Sequence, residues 1–139
     1  MKLLSLTICL FLFSFTLKAQ DKEAILKILD TQVTAWNKGD IDGFMKYYWK
    51  SDSLMFIGSK GPTYGWNATY DRYKKTYPDK TAMGVTKFDV LKVNLIDATN
   101  AFVLSGWKLT REKDLIGGFF TLWFRKIDGN WVIVCDHTS

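Results

Sequence analysis

His137 is the sole histidine of the chain. An imidazole, with an ordinary pKa near 6.5, is the side chain best suited to exchanging protons at neutral pH. It follows Asp136 and lies two residues from Cys135. Placed in an apolar hollow, a neutral His137 could act as a general acid or base. It could also supply the one hydrogen bond that orients a bound molecule. The plainer alternative is a histidine bonded to a backbone carbonyl, without chemistry. A Cys135–His137 dyad is disfavoured, because residues two apart on a strand stand ~6.6 Å from each other, beyond the ~3 Å a proton transfer needs. One histidine and one cysteine also fall short of the three or four ligands of a zinc site, so no metal or cofactor is expected.

What must position His137 is a β-hairpin. Two runs rich in β-branched and aromatic residues, 119–124 and 131–135, flank Asp128-Gly129, a strong signal for a two-residue turn. Counting outward from that turn pairs Phe124 with Ile133, Leu122 with Cys135 and Phe120 with His137. Opposed residues share a face of the sheet. The inner face is then expected to carry Phe120, Leu122, Phe124, Ile133, Cys135 and His137. Asp136 is expected on the other face, with Thr121, Trp123, Arg125, Val132 and Val134.

Ahead of the hairpin, residues 21–38 have helical spacing, with Ile25, Ile28, Leu29, Val33 and Trp36 on one face and Gly39 as the stop. Asp40 can cap a second helix carrying Ile41, Phe44, Met45, Tyr48 and Trp49. A short strand is expected at 53–58 and a loop at 59–65, marked by Gly61-Pro62. A third helix at 66–77 places Trp66, Tyr70, Tyr73 and Tyr77 along one face before Pro78 stops it. The period then changes to two, giving strands at 85–96 and 101–111 before the hairpin. Helices first and an antiparallel sheet afterwards describe an α+β domain in which a curved, cone-shaped sheet wraps around the N-terminal helices. The hollow this leaves could hold a small molecule, although aromatic stripes can equally fill a solid core.

The N-terminus reads as an export leader over residues 1–19. Met1-Lys2 precedes an apolar run of 15 residues from Leu3 to Leu17, then Lys18-Ala19 before the cut. That run is short of the ~20 residues needed to span a bilayer. One domain, 20–139, is expected to follow, periplasmic or secreted and with no membrane segment of its own. Losing Lys2 and Lys18 takes 19 basic residues to 17 against 14 acidic, so the net charge falls from +5 to +3. The remaining lysines are scattered, which argues against nucleic acid as a partner. Cys135 is the single cysteine outside the leader, so an internal disulfide is excluded.

The order of elements and several local motifs resemble the SnoaL-like and ketosteroid-isomerase-like members of the nuclear transport factor 2-like superfamily, also described as cystatin-like. Carrying the resemblance are Trp36-Asn37-Lys38-Gly39-Asp40, Gly65 before the third helix, Gly118-Phe119-Phe120-Thr121, and above all residues 125–139. It covers nearly all of 20–139 and implies a pocket between the helices and the concave sheet face. It also implies homodimers built through the outer face, where Trp123, Val132 and Val134 offer apolar area. Activity does not follow, since this scaffold hosts many chemistries. Steroid isomerases of this kind place a base aspartate on the strand after the second helix, and Leu54-Met55-Phe56-Ile57-Gly58 has no carboxylate. The Asp-Arg-Asp set of the epoxide hydrolases is likewise not found on the inward register.

Three functions are therefore expected to compete. The first is an exported domain that binds a small apolar or aromatic molecule against Trp36, Tyr48, Phe56, Tyr70, Tyr73, Trp107, Phe120 and Leu122, with His137 as the polar contact. The second is a lyase, cyclase or isomerase-like enzyme with His137 as general acid or base and Tyr48 polarising the substrate. The third is a homodimeric interaction module without chemistry.

Overall fold

The computed structural model describes residues 2–139, with side chains described from residue 18 onward. Up to residue 17 the expected leader therefore lies outside the described side chains. Helix α1 (Lys2–Asn37) and the short α2 (Ile41–Met45) lead into β1 (Met55–Gly58) and β2 (Gly61–Tyr64). Helices α3 (Trp66–Thr76) and α4 (Lys80–Met83) follow, and then the long strands β3 (Val85–Leu95), β4 (Asn100–Thr110), β5 (Leu115–Ile127) and β6 (Asn130–Thr138). The strands form one sheet in the order β2-β1-β6-β5-β4-β3. Among the described residues no helix is long and apolar enough to cross a membrane.

The α1–α2 corner forms as its residue types require. Gly39 takes φ +80°, a conformation a Cβ would strain, and the Asp40 amide reaches back to the Ala35 carbonyl at 2.9 Å. Asp40 then caps α2, its carboxylate accepting from the Gly43 amide at 2.8 Å. Two further contacts bind α1 to the sheet. Asn37 exchanges hydrogen bonds with the Thr86 backbone at 3.0 and 2.7 Å, and Asp21 accepts from Lys126 at 2.7 Å and from Trp131 at 2.9 Å. The apolar face of α1 (Ile25, Ile28, Leu29, Trp36) is buried against Ala101, Val103, Leu122, Phe124 and Ile133 on the concave side.

The expected elements form, with one unexpected short helix, α4, and four corrections. The sheet is mixed, because β1 runs parallel to β6 while every other pairing is antiparallel. The expected loop at 59–65 contains β2, where Pro62 is tolerated because an edge strand can leave one side unpaired. Helix α2 ends at Met45, earlier than its spacing suggests, because the backbone at Tyr47 and Trp49 bonds to Ile133 instead.

The fourth correction is decisive for function. The Asp128-Gly129 turn forms as expected, both residues at positive φ, and Phe124 pairs with Ile133. Beyond that pair the register shifts, so Trp123 faces Cys135 and Val134 is the extra residue of a β-bulge. Leu122 then pairs with Asp136, and Thr121 with His137. Asp136 turns inward and is buried, while His137 is exposed on the convex face. Cys135 also moves to the convex face, opposite the half-exposed Trp123.

Candidate functional site

Between α1, α2 and α3 and the concave sheet face lies a cavity of about 130 Å³. Its walls are mostly rings. Trp36 meets Phe44 at 5.1 Å and Tyr77 at 4.7 Å between centroids, and Tyr73 packs on Phe56 at 5.6 Å and Phe44 at 5.3 Å. Phe88 meets Phe120 edge to face at 4.9 Å on the sheet side. These tilted and T-shaped arrangements are the ones aromatic quadrupoles favour. Trp107, Leu109 and Leu122 complete the apolar lining, and Gln32, Arg72, Thr76, Thr86, Asp136 and Thr138 supply its polar atoms.

Asp136 is the carboxylate in that wall, 3 % exposed. The Tyr48 hydroxyl donates to its Oδ2 at 2.6 Å and the Thr138 hydroxyl to its Oδ1 at 2.7 Å. The fold brings these three together by specific means. The bulge at Val134 rotates Asp136 inward, and the backbone clip between residues 47–49 and Ile133 holds Tyr48 against β6. Burial pushes the Asp136 carboxyl up to about 6, although both hydroxyl hydrogen bonds and the charge on His137 pull the other way. Burial also drives Tyr48 and Tyr73 well above the ordinary phenol value, with Asp136 adding to the effect on both. Near neutrality the site therefore holds two neutral phenols and a carboxylate poised to exchange a proton.

Of the residues expected from sequence, Trp36, Tyr48, Phe56, Tyr73, Trp107, Phe120 and Leu122 line this cavity. Tyr70 does not, because it stacks on Trp66 at 5.1 Å and donates to Asp42 at 2.6 Å on the other side of α3. His137 lies on the opposite side of the sheet, so its expected role as ligand contact or acid/base is withdrawn. His137→Ala is accordingly expected to change unfolding free energy by less than ~0.5 kcal/mol, as measured by urea titration.

The sequence reading missed Asp136 and Arg72. Arg72 was recoverable, because Thr69, Arg72, Tyr73 and Thr76 recur at i, i+3, i+4 and i+7 and form the face of α3 turned to the sheet. No comparable signal exists for Asp136, whose orientation depends on the bulge.

A curved six-stranded sheet covered on one face by N-terminal helices is the architecture of the nuclear transport factor 2-like class. A similar structure is that of a nuclear transport factor 2-like protein of unknown function from Shewanella oneidensis MR-1. It is 41% identical, with a TM-score of 0.81 over 84% of this chain and 97% of that one. A domain of unknown function with a cystatin-like fold from Nostoc punctiforme PCC 73102 shares 18% identity at a TM-score of 0.73, covering 86% of this chain and 76% of that one. A ketosteroid isomerase-like protein from Erwinia carotovora atroseptica SCRI1043 shares 19% identity at 0.66, covering 84% and 93%. The SnoaL-like domain model matches residues 25–139, and the chain belongs to that family. No curated protein matches it.

Proposed function

We propose that this chain is an exported domain, residues 20–139 after loss of its leader, that binds a small molecule carrying one ring in the cone cavity. The observation that carries this reading is an apolar, ring-lined cavity with a single buried carboxylate in its wall. Apolar pockets with a few fixed polar groups are what small-molecule sites consist of. The volume, about 130 Å³, is close to the ~150 Å³ of an apolar cavity that accepts benzene. Phenol is a suitable probe, because its ring matches the walls and its hydroxyl can donate to Asp136. Phenol should quench the fluorescence of Trp36 and Trp107 saturably. Leu122→Trp, which fills the hollow, should weaken that binding at least ~10-fold while the protein still unfolds cooperatively. Undiminished saturation in the filled variant would refute the pocket as the binding site.

A second reading rests on Asp136 itself. A carboxyl of pKa about 6 facing a ligand suits general acid or base catalysis at neutral pH, as in proton transfer next to a carbonyl. β1 lacks a carboxylate, but Asp136 is the ladder partner of Phe56 on the adjoining strand and presents one to the same hollow. An isomerase-like or lyase-like activity would thus use Asp136, with Tyr48 holding it. Homodimerisation is supported by an apolar row across the convex face, Phe102, Trp123, Cys135 and Met55, in ladder register on β4, β5, β6 and β1.

A further inference from the structure

The binding reading leaves one strong charge in the cavity unaccounted for. Arg72 lines the cavity from α3, half-buried, with its guanidinium 4.8 Å from the centre of the Phe56 ring. The ion pairs among the described residues are Lys27–Asp30, Arg111–Asp114 and Lys126–Asp21, and Arg72 is in none of them. A Cβ on Gly58 of β1 would stand 2.6 Å from Arg72 Nη2, so the guanidinium over Phe56 lies in space that the glycine leaves open. A rigid fork of donors, held on an aromatic face and open to a cavity, is built to receive a planar oxyanion.

Asp136 and Arg72 also border the same ring: Phe56 is the ladder partner of Asp136 and lies beneath the Arg72 guanidinium. The carboxylate of Asp136 already accepts one hydrogen bond at each oxygen and has lone pairs for one more donor. A molecule in the cavity beside Phe56 would therefore have both an acceptor and a cationic donor fork within its walls. A single guanidinium matches a monoanion rather than a phosphate dianion, which calls for more donors.

We infer that the ligand is a small single-ring carboxylic acid, its carboxylate on Arg72 and a hydroxyl at its far end donating to Asp136. This rests on the cavity being the binding site and adds the chemical class of what it binds. The test compares 4-hydroxybenzoate with 4-hydroxybenzamide, which share ring and hydroxyl but differ in charge, by calorimetry on the wild-type protein and on Arg72→Gln and Arg72→Lys. The acid should bind the wild type at least ~10-fold more tightly than the amide, the margin a charge-assisted pair supplies. Arg72→Gln should remove that margin and leave the amide's affinity in place, and Arg72→Lys should recover part of it, because it keeps the charge but not the fork. Equal binding of acid and amide, or an acid affinity indifferent to Arg72→Gln, overturns the acid class and leaves the pocket reading standing. Failure of both probes and of phenol to bind overturns the pocket reading and this inference with it.

Discussion

Trp36→Ala is expected to lower the unfolding free energy by ~3–5 kcal/mol, the usual cost of emptying a buried aromatic site. Trp36 is 5 % exposed and stands where α1, α2, α3 and α4 converge. Its indole packs on Phe44, Tyr73 and Tyr77, and its Nε1 donates to the Met83 carbonyl at 2.9 Å, securing α4. Alanine removes the ring contacts and leaves that carbonyl without its partner, which accounts for ~1–3 kcal/mol of that loss unless water enters the enlarged hollow. Trp36→Phe keeps most of the volume and loses only the hydrogen bond, so it should cost markedly less than the alanine variant. Urea midpoints at constant m-value measure both. A loss below ~1 kcal/mol for alanine would mean that this convergence does not hold the helices on the sheet.

The same residue illustrates how much of the molecule is written in the sequence. Trp36 falls on a helical apolar stripe that ends at a glycine, and both signals depend only on neighbours three or four residues away. The third helix, the long strands and the Asp128-Gly129 turn are local in the same sense, and each forms where its pattern places it. Edge strand β2 was hidden because Gly61-Pro62 is turn chemistry in most settings and an edge strand only when a partner such as β1 lies alongside.

The inward side of β6 was hidden for a different reason. Residues 132–135, Val-Ile-Val-Cys, are apolar throughout, so alternation carries no information about which side chain faces the core. Strand parity then follows from the turn alone, and a single extra residue at Val134 reverses everything beyond it. The bulge therefore exchanged the two candidate proton carriers, taking His137 out of the hollow and putting Asp136 in. The bulge lies beside the long-range backbone bonds between Ile133 and residues 47–49, and no local pattern reports such a contact.

Asp136→Asn is expected to make the protein progressively more stable, relative to the wild type, as pH rises from 4 to 8. In the wild type the folded carboxyl titrates at about 6, whereas an unfolded aspartate titrates near ~3.9. Between those values the native state holds more protons than the unfolded one, so this group's stabilisation is complete below about pH 4 and is lost as pH rises through about 6. The difference amounts to something on the order of 2–3 kcal/mol. Asparagine cannot ionise, and it keeps an acceptor for Tyr48, while the Thr138 hydroxyl can rotate to accept from its amide. The groups that face Asp136 do not mask the effect. Tyr48 and Tyr73 titrate well above this window. Asp21 titrates below its ordinary value, its bonds to Lys126 and Trp131 outweighing partial burial, so its contribution changes at more acidic pH. The charge of His137 lowers the Asp136 value, so making Asp136→Asn in a His137→Ala background isolates the carboxyl. Denaturation at a series of pH values reads the stability difference directly, and a difference flat from pH 4 to 8 would show that Asp136 ionises as if in water. The same group governs any catalysis. If Asp136 is the base, kcat/KM on a small enone should rise through pH about 6 and fall ~100-fold or more in Asp136→Asn. A buried carboxylate that lowers stability at neutral pH carries a cost that a functional site explains, and the pH at which the stability difference levels off would then match the midpoint of kcat/KM, because both report the folded-state carboxyl.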